Sequence, residues 1–506
     1  MPDYQVVIAG GGPVGLAAAV ELGRRGIRVL VVEPRATVSH ARPRCKTINV
    51  RTMEHLRRWG LADELRRRAP LPTGWSQDVV FCTSLTGWEL SRFTGVLGLA
   101  PDGDRFPELG QQAPQYVLEE LLRDTVRALP TCTMHTGETV TGLIQDDDAV
   151  RVTTSDTTVT ASYVIGADGP RSTVRDLIGV DYVGEQALRP NFGMVFRAPE
   201  LSRQVRHGPA VHYWVVNATA PALLGPIDLV DTWWMIAFGV DRETGARDAL
   251  KLIDAAAGTA IDAELLSTDP WTARMQVVDR MRSGRVFLAG DAAHLNPPFG
   301  GHGLNTGIGD AVDLGWKLAA VLDGWGGPAL LDSYERERRP IQERVVREAT
   351  ANMSVTSPEL FADDLEDDGP LGRSARTAAG RRIQATKYAE FHALDLVLDV
   401  DIEGSPVVAD GAGHRLRHAW LGDRSLYDDL SDGLTLLVLS EAARKPADRL
   451  EDAARVRGIP LRILDLELPD RYGTGLVLIR PDQYVAWAGD RFDDAGGLLD
   501  RVRGAG

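Results

Sequence analysis

Cysteine is scarce in this 506-residue chain: Cys45, Cys82 and Cys132 are the only three. They are too scattered for a disulfide framework, and no Cys-x-x-Cys pair is available for thiolate zinc binding or disulfide exchange. A reducing cytoplasm is the compartment that such usage fits. Long apolar runs are lacking as well. No stretch approaches the roughly 18 uninterrupted apolar residues of a membrane span, and the apolar segment Tyr4–Ala9 follows Met1 without a basic leader. Neither a membrane partner nor export is expected. Positive charge is the third deficit. With 56 Lys and Arg against 71 Asp and Glu, the net charge is −15, which argues against nucleic acid and against docking on an anionic membrane. No histidine cluster at ligand spacing and no Ser/His/Asp arrangement stands out, so no metal and no protein nucleophile is expected.

What is present is a chain of ordinary globular composition, long enough for two to four domains and for burying a large ligand. Its first segment reads strand Tyr4–Ala9, glycine-rich turn, helix Leu16–Arg25 and strand Ile27–Glu33, a βαβ unit. Helical periodicity returns over Gln115–Leu129 and strand alternation over Val140–Val164. From Val183 to Val277 β-branched and aromatic residues alternate between Pro and Gly turns, as in Ala210–Val216 and Thr232–Val240, which predicts a mostly antiparallel sheet. A short buried strand, Arg285–Ala289, precedes a helix over Leu304–Leu322, and a charged helix is expected over Leu330–Ser354. The acidic stretch Asp363–Gly372 reads as a loop before a further helix, Arg373–Glu390. Beyond it, strands Thr435–Leu439, Leu461–Leu466, Leu476–Ile479 and Tyr484–Ala488 with helix Ala443–Arg457 predict a small separate α/β domain.

Three motifs carry chemistry. Gly10-x-Gly12-x-x-Gly15 lies between strand and helix, and Glu33 ends the next strand at the offset of a dinucleotide fingerprint. Glycines let the backbone approach a pyrophosphate, the helix N-terminus adds free N–H groups and a positive dipole end, and the carboxylate accepts from ribose hydroxyls. The second motif, Tyr163-Val-Ile-Gly-Ala-Asp168-Gly169, delivers a carboxylate and a glycine from a strand to a turn. The third does the same in Gly284-Arg-Val-Phe-Leu-Ala-Gly290-Asp291, followed by Asn296-Pro-Pro-Phe-Gly300-Gly-His-Gly303-Leu-Asn305. A glycine-rich entry to a helix aims N–H groups at a flat ligand whose charge develops at one edge.

In order and separation these motifs resemble those of the class A flavoprotein monooxygenases, the aromatic hydroxylases of the para-hydroxybenzoate hydroxylase fold. The C-terminal part resembles the thioredoxin-like appendage of the phenol and aromatic-polyketide hydroxylase branch. The resemblance implies an α/β chain, α+β overall. A discontinuous Rossmann-type FAD-binding domain is expected over 1–78, 111–182 and 278–390, a β-sheet substrate domain over 79–110 and 183–277, and a thioredoxin-like domain without Cys-x-x-Cys over 396–506. It implies non-covalent FAD held by Gly10, Gly12, Pro13, Val14, Gly15, Glu33, Pro34, Arg35, Arg44, Gln115, Asp168, Gly169, Gly290, Asp291, Pro298, Gly301, Gly303, Leu304 and Asn305. NAD(P)H would reduce the flavin from a shared cleft, since no second fingerprint follows a strand. O2 would add at C4a, and the hydroperoxide would pass one oxygen atom to an electron-rich ring.

Strand alternation puts His212 and Trp214 on one face, and Trp234, Ile236 and Phe238 together on the next strand. Trp214, Trp234, Phe238, Pro297 and Phe299 are accordingly expected to wall the substrate pocket, although the same residues serve equally as sheet core. His302, His212 and Tyr213 are the candidate phenol-activating groups. A small aromatic molecule is the expected partner. Oligomeric state is open, a homodimer being the assembly entertained. Two alternatives stay open beside hydroxylation: Baeyer–Villiger insertion at a ketone, and a flavin oxidase or reductase on the same scaffold. A flavin-binding protein without turnover is a fourth reading.

Overall fold

The structure is a computed structural model describing residues 2–41, 46–185, 189–354, 357–402 and 404–506. The strand Tyr4–Ala9 forms because its apolar run can be buried on both faces of a parallel sheet; Val6, Val7 and Ile8 are wholly inaccessible. It pairs in parallel with Val29–Glu33 on one side and Thr158–Gly166 on the other. Cys132–Thr136 and Val286–Leu288 extend the parallel array outward, again in parallel. The helix Pro13–Gly23 begins earlier than the sequence pattern suggested, with Pro13 in its first turn. It packs on the helix His302–Leu322 through small side chains, and an added Cβ at Gly315 would lie 2.6 Å from Glu21 Cγ. This helix too starts before its expected Leu304, because Gly301 enters it in the left-handed region at φ 69°.

A second sheet of seven strands runs in the order Glu264–Thr272, Pro190–Arg197, Thr232–Phe238, Ala222–Pro226, His212–Val215, Val79–Cys82, Glu89–Phe93. Only His212–Val215 against Val79–Cys82 is parallel. Alternation gives the sheet two different faces. Phe192, Tyr213, Trp233 and Met235 pack with Ala249 and Ile253 of the helix Arg242–Ala257. Phe81, Trp214 and Phe238 face the other way, with Phe299 and Phe391.

The C-terminal sheet has the order Leu461–Asp465, Leu434–Val438, Leu476–Ile479, Val485–Gly489, its first pair parallel and the others antiparallel. With Arg444–Val456 crossing between the parallel strands and Ala495–Val502 at the end, this is the thioredoxin-like arrangement. A buried ionic cluster ties it to the helices His302–Leu322 and Pro328–Ser354. Arg480 reaches Glu337 at 2.8 Å and Asp313 at 3.0 Å, and Lys317 reaches the same two carboxylates. Asp482 also binds Arg480. Three carboxylates thus share two cations, and burial pushes Asp313 up to about 8.

The stretch Asp363–Gly372 is more ordered than a loop. Asp363–Glu366 forms one tight turn and the next helix already starts at Pro370. Leu365 is buried, and Asp367 accepts from the N–H groups of Gly369 and Gly372, so one anchor and one cap override the local charge repulsion. Among the described residues no helix is long and apolar enough to cross a membrane.

Candidate active site

The three motifs meet at the C-terminal edge of the parallel sheet, where Ala9 pairs with Gly166 and Gly166 with Leu288. Contact between their turns is so close that side chains are excluded. A Cβ on Gly10 would lie 2.3 Å from Ala167 O and 2.9 Å from Asp168 Cα, and one on Gly15 only 1.9 Å from Gly10 O. One on Gly290 would strike Val14 Cγ2 at 2.8 Å, and Gly307 would strike the same methyl at 2.6 Å. Gly12 differs: nothing lies within 4 Å of its added Cβ. Both helices that begin here, at Pro13 and at His302, lack a side-chain cap. Their first N–H groups are therefore available to an anionic or acceptor-bearing ligand.

The donor set fits FAD. Glu33 is buried at the end of its strand and accepts from Gly11 N at 2.7 Å and from the backbone N and Nε of Arg35. Arg35 in turn bridges to Glu119 at 2.9 Å, and Pro34 is exposed beside it. Gln112 donates to Thr47 Oγ1 while its own Oε1 is buried without a partner, and Thr47 is the residue against which Gly301 packs. An unpaired acceptor beside the helix entrance calls for a donor from a ligand. Gln115 merely opens the helix Gln115–Ala128, half-buried. Arg44 lies outside the described residues.

Asp168 has both carboxylate oxygens occupied, by Ser172 Oγ and by Val174 N at 3.0 Å. Burial pushes its carboxyl up against those bonds. It braces the turn that ends in Gly169, whose φ is 82°. Asp291 stands exposed after its strand, and its carbonyl accepts from the Tyr182 hydroxyl. Asn305 is also spoken for: its Oδ1 accepts from Asn49 N and Thr52 Oγ1, and its Nδ2 donates to Thr47 O and Gly301 O. These bonds hold the helix entrance in place. Gly303 lies against Asn296, with its added Cβ 3.2 Å from Oδ1, and Leu304 packs on the main core.

Asp310 was not anticipated. Wholly buried, it accepts from Gly290 N at 3.1 Å, His294 Nε2 at 3.0 Å, Arg338 Nε at 2.8 Å and Gln342 Nε2 at 3.2 Å. Burial opposes its charge, yet Arg338 and His294 hold it below the usual carboxylate range. Its spacing gave no sign of this, because Asp310 falls off the helical row of Ile308, Ala311, Gly315 and Leu318.

Beside the turn Pro298–Gly301 lies a cavity of about 180 Å³, walled by Trp214, Trp234, Ile236, Phe238, Phe299 and Phe391 among others. Trp214 stacks on Phe81 at 5.3 Å and lies 5.9 Å from Phe299. His212 meets Trp234 edge-on at 5.6 Å. Buried Glu390 faces the cavity too. It pairs with Lys387 at 2.7 Å, and burial raises its carboxyl against that pairing and a bond to Gly300.

Three expectations need correction. Tyr213 is on the opposite face of its strand from His212 and Trp214; its hydroxyl donates to Gly208 O at 2.5 Å and accepts from Ala210 N at 2.9 Å. It is core, as period-two alternation requires. His302 does not line the aromatic cavity either. Its ring folds behind Gly300, whose added Cβ would lie 2.3 Å from Nε2, and faces a small second cavity with Asn49, His55, Arg338 and Arg480. Burial lowers His302 to about 4, so the ring is neutral. Pro297 is buried outside the cavity lining, and Pro298 takes its place.

The chain belongs to the FAD-binding-domain family of flavoproteins: the model described as FAD binding domain matches residues 3–349, and the one described as aromatic-ring hydroxylase, C-terminal matches 410–505. A putative polyketide hydroxylase of Streptomyces halstedii is 33% identical over 530 residues, covering 95% of this chain and 92% of that protein. The structure of the rebeccamycin biosynthetic enzyme RebC with reduced flavin superposes with a TM-score of 0.91 at 33% identity, covering 99% of each chain. Aklavinone-11 hydroxylase, solved with FAD and aklavinone, gives 0.84 at 29% identity over 100% of this chain and 99% of that one.

Proposed function

We propose that the protein is a single-component, NAD(P)H-consuming FAD monooxygenase that places one O2-derived oxygen atom on a flat aromatic substrate of the phenolic or polycyclic polyketide kind. One observation carries the reading. The turn Pro298–Gly301 both lines the aromatic cavity and opens the uncapped helix His302–Leu322, so a ring bound in the cavity adjoins whatever that helix end holds.

In this reading Gly10, Gly12, Pro13, Val14 and Gly15 receive the pyrophosphate, while Glu33, flanked by Pro34 and Arg35, takes the adenosine ribose. Gly290 and Asp291, with Gln112 or Gln115, serve the ribityl chain, and Gly301, Gly303 and Leu304 present N–H groups to the charged edge of the isoalloxazine. Asp168, Gly169 and Asn305 act by shaping the turns. Bound FAD supplies hydride acceptance from the nicotinamide and activation of O2. The chain's own contribution is position and dryness: Asp310 fixes the Gly290 turn, and Trp214, Trp234, Phe238 and Phe299 stack on the substrate and exclude water. The domain division that goes with this is 1–78, 111–182 and 278–390 for FAD, 79–110 and 183–277 for substrate, and 396–506 for the thioredoxin-like unit. Free thiols at Cys82 and Cys132 support action in a reducing cytoplasm.

The test is direct. Purified protein should be yellow, NAD(P)H oxidation should be accelerated by hydroxylated anthraquinones or phenols, and isotopically labelled O2 should leave one labelled atom on the ring. A label found in a lactone instead indicates Baeyer–Villiger insertion. Peroxide release with every aromatic compound indicates an oxidase.

A further inference from the structure

Lys46 lines the aromatic cavity and is buried there, only 7% exposed. Its Nζ donates to two backbone carbonyls, Val211 O and Pro226 O, both at 2.9 Å, the first just before the strand His212–Val215 and the second at the end of its neighbour Ala222–Pro226. It lies 5.4 Å from the centre of the Trp234 ring. Among the described residues no carboxylate comes within ion-pair distance of it. A neutral amine has two N–H bonds and one lone pair on a tetrahedral nitrogen. Two carbonyls take the two hydrogens, which leaves the lone pair as the fourth position of a side chain that lines the cavity. Burial without a counter-charge lowers this amine to about 7.

The surrounding groups point the same way. His212 shares the cavity, but burial, and then Lys46, keep its imidazole far below its ordinary value, so it stays neutral. Glu390, from the helix Pro370–Phe391, is tied to Lys387, and Asp269, from the strand Glu264–Thr272, also lines the cavity. The indole N–H groups of Trp214 and Trp234 are buried without acceptors. Donors without acceptors beside an amine suit a ligand edge that carries oxygen and can lose a proton.

We propose that Lys46 ionises the substrate: its Nζ removes the proton of an aromatic hydroxyl, and Trp234 Nε1 then donates to the ring oxygen left behind. The O–H bond breaks with its electron pair staying on oxygen, and the proton makes the third N–H bond of an ammonium beside the new aryl oxide. The ring gains electron density at the carbons ortho and para to that oxygen. When product leaves, the proton passes to it or to solvent and the amine is restored. The substrate class narrows to planar aromatics bearing an ionisable hydroxyl. This rests on the monooxygenase reading above.

The test uses the FAD-loaded protein and 2-hydroxyanthraquinone, whose aryl oxide absorbs at longer wavelength than oxidised flavin, with its methyl ether as comparison. The bound dye should ionise at a pH lower than the free dye by about one unit or more, as expected beside a fresh positive charge. In Lys46→Met the midpoint should return to the free-dye value or above it, with FAD content unchanged. A wild-type protein that binds the dye without lowering its midpoint, binds the ether as tightly, or binds no dye at all overturns the proposal without needing a variant. A lowered midpoint that survives Lys46→Met does so as well. Absence of flavin, or of NAD(P)H oxidation stimulated by aromatic compounds, strikes the monooxygenase reading instead and is read separately.

Discussion

Replacing Gly12 by Ala separates the protein's own packing from its fit to the cofactor. Gly12 is in an extended conformation, φ −77° and ψ 179°, that alanine adopts freely, and no atom lies within 4 Å of the added methyl. Loss of unfolded-state entropy favours the variant while a poorer N-cap disfavours it, so stability without cofactor should stay within roughly 0.5 kcal/mol. The empty space is the cradle itself, however. A methyl there holds the pyrophosphate off the helix end and removes at least one charge-assisted hydrogen bond, worth about 1.5–3 kcal/mol, or roughly 10- to 150-fold in FAD affinity. Gly15→Ala is the contrasting variant. Its Cβ would sit 1.9 Å from Gly10 O, a backbone atom that cannot swing aside, so overpacking of about 1–3 kcal/mol should lower both stability and FAD affinity. Flavin fluorescence titration measures the affinity and urea unfolding of the stripped protein measures stability. If Gly12→Ala bound FAD within twofold of wild type, the reasoning about the cradle would be refuted.

Three further outcomes are expected. Lys46 has a folded value of about 7 against about 10.4 unfolded, so between these limits the unfolded chain binds the extra proton and stability rises with pH. Lys46→Met should flatten that rise, on the order of a few kcal/mol across pH 7 to 10; a urea series in which variant and wild type keep the same pH slope would contradict it. Arg480→Ala should cost about 3–5 kcal/mol and loosen the thioredoxin-like domain, because Glu337, Asp313 and Asp482 are left facing one another with Lys317 alone. Limited proteolysis and thermal unfolding report both effects, and a loss below about 1 kcal/mol would discount the cluster. Tyr213→Phe should cost about 1–2 kcal/mol by orphaning Ala210 N–H and Gly208 C=O, yet leave turnover intact; a large fall in turnover with stability preserved would reinstate Tyr213 as a catalytic group.

Local chemistry was enough to read the fingerprint turn, the parallel strands after it, the two-faced sheet and the cysteine-free terminal domain. Each of these depends on residues close together in the chain: glycine spacing at a helix start, unbroken apolar runs, alternation along a strand. The positions of Tyr213 and His302 were open to the sequence only in part. Alternation already set Tyr213 apart from His212 and Trp214, whereas the turn of the His302 ring depends on Gly300 and Gly301, both in the left-handed region. What only the tertiary structure decided are the contacts that close loops of many residues. Lys46 finds its two carbonyls 165 and 180 positions away, Arg480 reaches Glu337 over 143, and Asp310 fixes Gly290 across 20. A lone lysine or aspartate has no periodicity to betray it. Its ionisation and its task follow from which carbonyls, cations and walls the folded chain brings around it.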